Sequence, residues 1–214
     1  MGAPFKISRT ELGALRRLSR KTPMREHCEL CHAVLPEQHA HLIERSSRRM
    51  LCACEPCAIL FSHRGTDRAF LRIPRDTYQL GDFRITDADW SALRLPIDLA
   101  FFVKRAEEPR VLAYYPSPAG PTESLLNIEA WNEIVRNNPV LDRMEPDVQA
   151  LLVNRTRGRR DYLIAPIDQC YKLTGLIRSY WRGLSGGDEV WCEIDCFFEL
   201  LAAQAREAEE ISHA

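Results

Sequence analysis

The side chains with the clearest chemical potential are cysteines: Cys28-Glu-Leu-Cys31, then 22 residues, then Cys54-Glu-Pro-Cys57. A C-x-x-C turn makes two thiolates converge, and a second such turn completes a tetrahedral four-sulfur site. Zn²⁺ is the expected ion; a single iron held in the rubredoxin manner is the alternative, because the same thiolates suit both. Iron would need an apolar shell around its sulfurs. Leu30, Leu51, Ile59 and Phe61 supply part of one, whereas Arg45, Arg48 and Arg49 between the pairs point to a structural site facing water. Cys52 is a fifth thiol, two residues before Cys54, and on a strand it would share that residue's face. It could replace Cys54 as a ligand or join an iron-sulfur cluster, but a spare buried thiol is the preferred reading. His32, His39 and His41 lie in the same stretch and read as turn and surface histidines, His41 being the best placed of them to ligate.

Two further segments could bind something. Tyr114 to Ser124 reads as a connection from a strand to a helix, which would put the hydroxyls of Ser117 and Thr122 and free N–H groups at a helix N-terminus, where an anion is stabilised. It has no Walker-type lysine and no G-x-G-x-x-G spacing, so a rigid connection is the preferred reading. Arg155-Thr-Arg157-Gly-Arg159-Arg160 reads as a basic hairpin tip, where Arg157, Arg159 and Arg160 could grip phosphate or an acidic partner; a solvated turn is the default. Beyond the cysteine stretch only His63 and the tail residue His213 could act as base, so no Ser-His-Asp or Cys-His arrangement is visible. That weighs against a hydrolase, and no catalytic residue is assigned.

The elements that must position these residues follow from periodicity. Ser8 and Glu11 have capping-box spacing, with Ile7 and Leu12 placed as a hydrophobic staple, which predicts a short N-terminal helix ending before Pro23. In the cysteine stretch, His41 to Arg45 and Arg49 to Cys54 predict a β-hairpin around Ser46-Ser47-Arg48, and Ala58 to Phe61 a helix. A knuckle, a hairpin and a helix carrying the second cysteine pair form the order of a treble clef, with a zinc ribbon as the near alternative. Phe70 to Ile73 and Tyr78 to Ile85 look like strands, and Thr86 to Asp89 caps a short helix with Trp90 and Leu93.

Further on, Leu99 to Val103 and Val111 to Tyr115 predict two strands, followed by a helix from about Thr122 to Asn137. Ala150 to Asn154 and Asp161 to Ala165 predict two more, followed by a helix from about Ile167 to Tyr180, which suggests a duplicated hairpin-helix unit. Cys170 lies on that helix's apolar stripe and reads as a core thiol. A final helix, roughly Asp188 to Glu210, has an Ala/Glu-rich end that should fray. Its Cys192 and Cys196 lie opposite Ile194 and Leu201, so either the helix is buried on both faces, the preferred reading, or the thiol pair binds a metal or a partner. The expected architecture is α+β: an N-terminal helix and basic arm (1–27), a small treble-clef or zinc-ribbon module (28–64), and a domain (65–214) with a mixed, largely antiparallel sheet and packed helices.

Composition sets outer limits. The 214 residues carry 29 Lys+Arg against 30 Asp+Glu, which disfavours coating of nucleic acid by bulk charge. The charge is uneven: residues 1–64 hold 11 Lys+Arg and 6 Asp+Glu, net +5, and residues 65–214 hold 18 and 24, net −6. The longest apolar runs are strand-sized, far from the roughly 20 residues a membrane helix needs. Arg16-Arg17 has no apolar stretch behind it, so neither a Sec nor a twin-arginine signal is expected and a cytoplasmic location is inferred. In such a compartment close C-x-x-C pairs are metal ligands rather than disulfides.

Several segments together carry a resemblance: Cys28-Glu-Leu-Cys31, Leu51-Cys-Ala-Cys54-Glu-Pro-Cys57, Tyr115-Pro-Ser-Pro-Ala-Gly120, Ala150-Leu-Leu-Val-Asn154, Pro166-Ile-Asp-Gln-Cys170-Tyr171 and Tyr180-Trp-Arg-Gly-Leu-Ser-Gly-Gly187. From Cys28 to Leu201 the chain resembles a family of uncharacterised bacterial proteins encoded beside oxygen-tolerant uptake nickel-iron hydrogenases. The resemblance implies an accessory role near hydrogenase and supplies no reaction. The expected function is therefore a non-catalytic, metal-binding accessory or assembly protein, with a hydrogenase subunit or maturation factor as its protein partner. The alternatives are a zinc-dependent nucleic-acid-binding regulator, using Arg9, Arg16, Arg17, Arg20, Lys21 and the hairpin arginines, or a rubredoxin-like electron carrier if the metal is iron. The acidic remainder and the want of a recognition helix disfavour nucleic acid.

Overall fold

The computed structural model describes residues 26–62, 69–108, 110–183 and 185–208. The expected N-terminal helix, the basic arm with Arg9, Arg16, Arg17, Arg20 and Lys21, and His63 and His213 lie outside the described residues. What is described is α+β, a small cysteine-rich module seated on a larger two-faced sheet.

The module contains β1 (Ala40–Glu44), β2 (Met50–Ala53), α1 (Glu55–Ser62) and β3 (Phe70–Arg72). Its sheet runs β2-β1-β3, all antiparallel, so a strand beyond the expected boundary at residue 65 completes it. Alternation along β1 decides what the module touches. Leu42 turns inward with Leu35, Ala40, Leu51, Ala53 and Ala58, while Ile43 turns outward into the core of the main sheet, joined there by Ile73 and flanked by Met50 and Leu71.

The main sheet has seven strands in the order β10-β4-β9-β8-β5-β6-β7. They are β4 (Tyr78–Gln79), β5 (Leu99–Lys104), β6 (Val111–Ser117), β7 (Gly120–Ser124), β8 (Gln149–Asn154), β9 (Asp161–Pro166) and β10 (Arg206–Glu207). All neighbours are antiparallel except β10 and β4. The central β5 and β8 read as unbroken apolar runs because both faces are covered: Leu99, Phe101 and Val103 point one way, Ala100 and Phe102 the other. On the first face lie α4 (Ile167–Tyr180), through Ile167, Cys170, Leu173 and Ile177, and α5 (Gly187–Ala203), through Val190, Ile194, Phe197, Phe198 and Leu201. On the second lie α2 (Asp87–Ala92), with buried Trp90, and α3 (Ile128–Asn137), with buried Trp131 and Ile134, joined by Leu141 of a 3₁₀ turn. Thr86 and Asp89 form a reciprocal capping box on α2, as their spacing predicts. The chain turns from α4 into α5 at Gly186, whose φ of +88° and 2.9 Å clearance between an added Cβ and Val190 Cγ1 leave room for glycine alone.

Several expectations are corrected. Thr122 does not open a helix: Gly120 at φ +123° closes a tight hairpin, Thr122 pairs with Tyr115 in β7, and the helix starts only after Asn127, whose side chain caps it. The hairpin-helix unit is not duplicated, because the first copy gains β7 and α3 and α4 sit on opposite faces. The strand expected over Tyr78 to Ile85 stops at Gln79, before the turn at Gly81. The last helix ends at Ala203; Arg206 and Glu207, expected to fray, pair with Tyr78 and Gln79. Nor is α5 buried on both faces: Cys192 and Cys196 are exposed. Cys170 is fully buried, and burial pushes its thiol far above the ordinary range. Among the described residues, no helix is long and apolar enough to cross a membrane.

Candidate metal centre

The first cysteine pair sits in a tight knuckle. The Cys28 amide donates to Ala33 O at 2.8 Å and the His32 amide to Cys28 O at 2.8 Å, with His32 in the left-handed region at φ 62°. The knuckle is tied to the end of β2 by Glu29, whose amide donates to Cys52 O and whose carboxylate accepts from the Cys52 amide, both at 2.9 Å. The second pair straddles the start of α1: Cys54 O accepts the Ala58 amide at 2.9 Å, and Cys57 lies in the first turn, where the helix dipole favours thiolate.

The four sulfurs of Cys28, Cys31, Cys54 and Cys57 lie within 4.8 Å of one another, and Cys31 Sγ and Cys54 Sγ are 3.6 Å apart. Metal-sulfur bonds of about 2.3 Å in a tetrahedron require sulfurs about 3.8 Å apart, so the site fits a metal ion of that size. Four thiolates this close repel one another, and the protons divide unequally. Burial would push Cys28 up, but backbone hydrogen bonds from Cys54, Cys31 and Leu30 bring it down to about 6. At Cys31 the Ala33 backbone pulls downward, yet the neighbouring thiols Cys54 and Cys28 leave it raised. Burial, followed by the other sulfurs, pushes Cys57 up to about 12. Without metal, Cys31 and Cys57 therefore hold protons at pH 7, and ligation must expel at least these two. Affinity is expected to fall at least about a hundredfold for each unit of pH lost near neutrality, since two or more protons compete with one ion. Titration with a competing chelator at several pH values checks the slope; an affinity independent of pH would contradict this ligand set.

Cys52, half-buried near the end of β2, packs against the module core that Leu51 and Ala53 help build, as Cys54 does just beyond the strand. It is directly opposite His41 in the hairpin register. His39, His41 and Cys52 each place a potential ligand atom within 4.8 Å of the others. His41 Nδ1 donates to Asp168 Oδ2 of α4 at 2.8 Å, a contact across 127 positions. These histidines, expected to be turn and surface groups, thus form a cluster under the module; His32 remains an exposed turn residue. Period-two spacing of His39 and His41 against Cys52 was the available signal, but only the hairpin register makes it meaningful.

The other candidate residues are not brought together. Ser117 Oγ donates to Gly120 O at 2.9 Å and lies 3.1 Å from Thr122 Oγ1, so both hydroxyls stitch a hairpin rather than face an anion at a helix N-terminus. Arg159 pairs with Asp161 at 2.6 Å and Asp195 at 3.5 Å, Arg157 with Asp195 at 3.4 Å, and Arg160 with Asp87 at 3.1 Å. The basic tip is largely matched by the chain's own carboxylates.

A family model described as Family of unknown function (DUF5947) matches residues 27–205. No curated protein and no solved structure matches the chain. The matched span takes in both cysteine pairs, the hairpin between them and the strands β1 to β9, and stops just before β10. The chain belongs to the Family of unknown function (DUF5947).

Proposed function

We propose that this protein is a non-catalytic, metal-binding accessory or assembly factor in which the four-cysteine centre holds a structural Zn²⁺. The convergence of four sulfurs within 4.8 Å carries the metal reading. Two features favour zinc over iron. Cys31 is exposed, and Ile59 and Phe61, which a rubredoxin-like shell would need against the sulfurs, are 54% and 42% exposed. A protein partner is favoured by the apolar run Ile59, Leu60 and Phe61 left open on α1. Nucleic acid is disfavoured because Arg45, Arg48 and Arg49 pair with Glu107, Asp147 and Glu29. Association with a nickel-iron hydrogenase system rests on the sequence resemblance, and the cytoplasmic location on the sequence reading of Arg16-Arg17 and the close cysteine pairs.

Purified protein is expected to be colourless, to contain zinc, and to co-purify with a hydrogenase component from cells expressing both. A red preparation that bleaches with dithionite would replace zinc by iron and accessory function by electron transfer, since ferric thiolates absorb in the visible and d¹⁰ zinc does not. Submicromolar duplex binding at physiological salt, with no hydrogenase component recovered, would favour the nucleic-acid regulator instead.

A further inference from the structure

The cluster beneath the module has the protonation pattern of a metal site. His39 Nδ1 lies 3.0 Å from Pro36 O, an acceptor only, so Nδ1 carries the proton. A neutral His39 ring then presents a lone pair at Nε2, on a side chain only 5% exposed, and that atom has no hydrogen-bond partner. His41 is oriented likewise: Nδ1 donates to Asp168, which frees Nε2. A histidine whose second nitrogen donates to a carboxylate is the usual arrangement of a metal-bound imidazole, with the ring's tautomer and angle fixed from behind. Cys52, opposite His41, adds a thiol, and Glu26 Oε2, 3.5 Å from His39 Nε2, adds negative charge.

The geometry points to a second metal site, in which His39, His41 and Cys52 bind a divalent first-row transition ion and leave a fourth position open. Two imidazoles and one thiolate suit ions of borderline softness such as Zn²⁺, Co²⁺ or Ni²⁺, and three protein ligands with an open position distinguish exchangeable sites from closed structural ones. Access is available, because His41 is 25% exposed and Cys52 is partly so. Cys52, His41 and Asp168 are also the parts of a nucleophilic triad, but Cys52 Sγ makes no hydrogen bond with His41, and a triad gives His39 no role. The inference does not depend on what fills the four-cysteine centre.

The test is titration of the zinc-loaded full chain with Co²⁺ alone, followed by visible absorption. One further equivalent is expected, with tetrahedral d-d bands and a weak single-thiolate charge-transfer band instead of the intense band of a tetrathiolate. His39→Ala, His41→Ala and Cys52→Ser should each abolish it while retaining the first zinc and the wild-type circular dichroism. Asp168→Asn, which keeps shape but weakens the acceptor, should bind Co²⁺ about 10- to 100-fold less tightly. No additional Co²⁺ in the wild type, or uptake unchanged in all three ligand variants, would overturn the second site without touching the first. A tetrathiolate spectrum would also overturn it, as it would mean that Co²⁺ had only replaced zinc in the four-cysteine centre.

Discussion

Cys54→Ser is expected to empty the four-cysteine centre and to unfold the module, because a stretch this short has too little apolar core to fold without its ion. In small zinc modules the metal supplies on the order of 10 kcal/mol of folding free energy, far more than the handful of side chains around Leu42 and Leu51. The sequence alone suggests that the main domain would stand unaffected. The packing predicts otherwise, since Ile43 and Ile73 are buried in the core of the main sheet. Exposing two such side chains should cost the sheet about 3 to 6 kcal/mol, at roughly 1.5 to 3 kcal/mol each. Metal analysis with calorimetry checks both parts: the variant should lose its metal and show one lowered transition for the remaining sheet. Full metal retention would remove Cys54 from the ligand set.

Phe102→Ala should be the most damaging single change in the large domain. Phe102 is 1% exposed at the middle of β5, stacked on Trp131 at 4.8 Å between ring centroids and edge-on to Trp90 at 6.4 Å. Its removal leaves a cavity between two indoles that are themselves held by α2 and α3, so little collapse can fill it. A loss of about 3 to 5 kcal/mol is expected, a large share of the roughly 5 to 15 kcal/mol that stabilises an ordinary domain. Leu125→Ala is the control: Leu125 is 93% exposed, and its loss should stay within about 0.5 kcal/mol. Chemical denaturation of the two variants compares them directly; equal midpoints would place the core elsewhere.

Much was legible in the chain itself. The convergence of the four cysteines was legible from their spacing, because a C-x-x-C turn has few alternatives for two thiols. The Thr86 cap, the central strands and the helix over Ile167 to Tyr180 were visible because each is set by neighbours along the chain: a capping box, apolar runs bounded by turns, a 3.6-residue stripe. Thr122 misled because a hydroxyl after Gly-Pro reads equally well as a helix start and as the return strand of a hairpin. Only the presence of β6 beside it settles which backbone hydrogen bonds form.

What the tertiary structure decided is everything that depends on two distant segments meeting. Alternation says that Leu42 and Ile43 face opposite ways, but not that one side of the hairpin meets α4. That docking brings Asp168 to His41, the hairpin register makes Cys52 the neighbour of two imidazoles, and, separately, the packing of α2 and α5 beside the β8-β9 turn pairs its arginines with Asp87 and Asp195. Local pattern records which residues share a face because backbone geometry repeats every two or 3.6 residues; what covers that face is set by burial of apolar area between segments, which carries no sequence period at all.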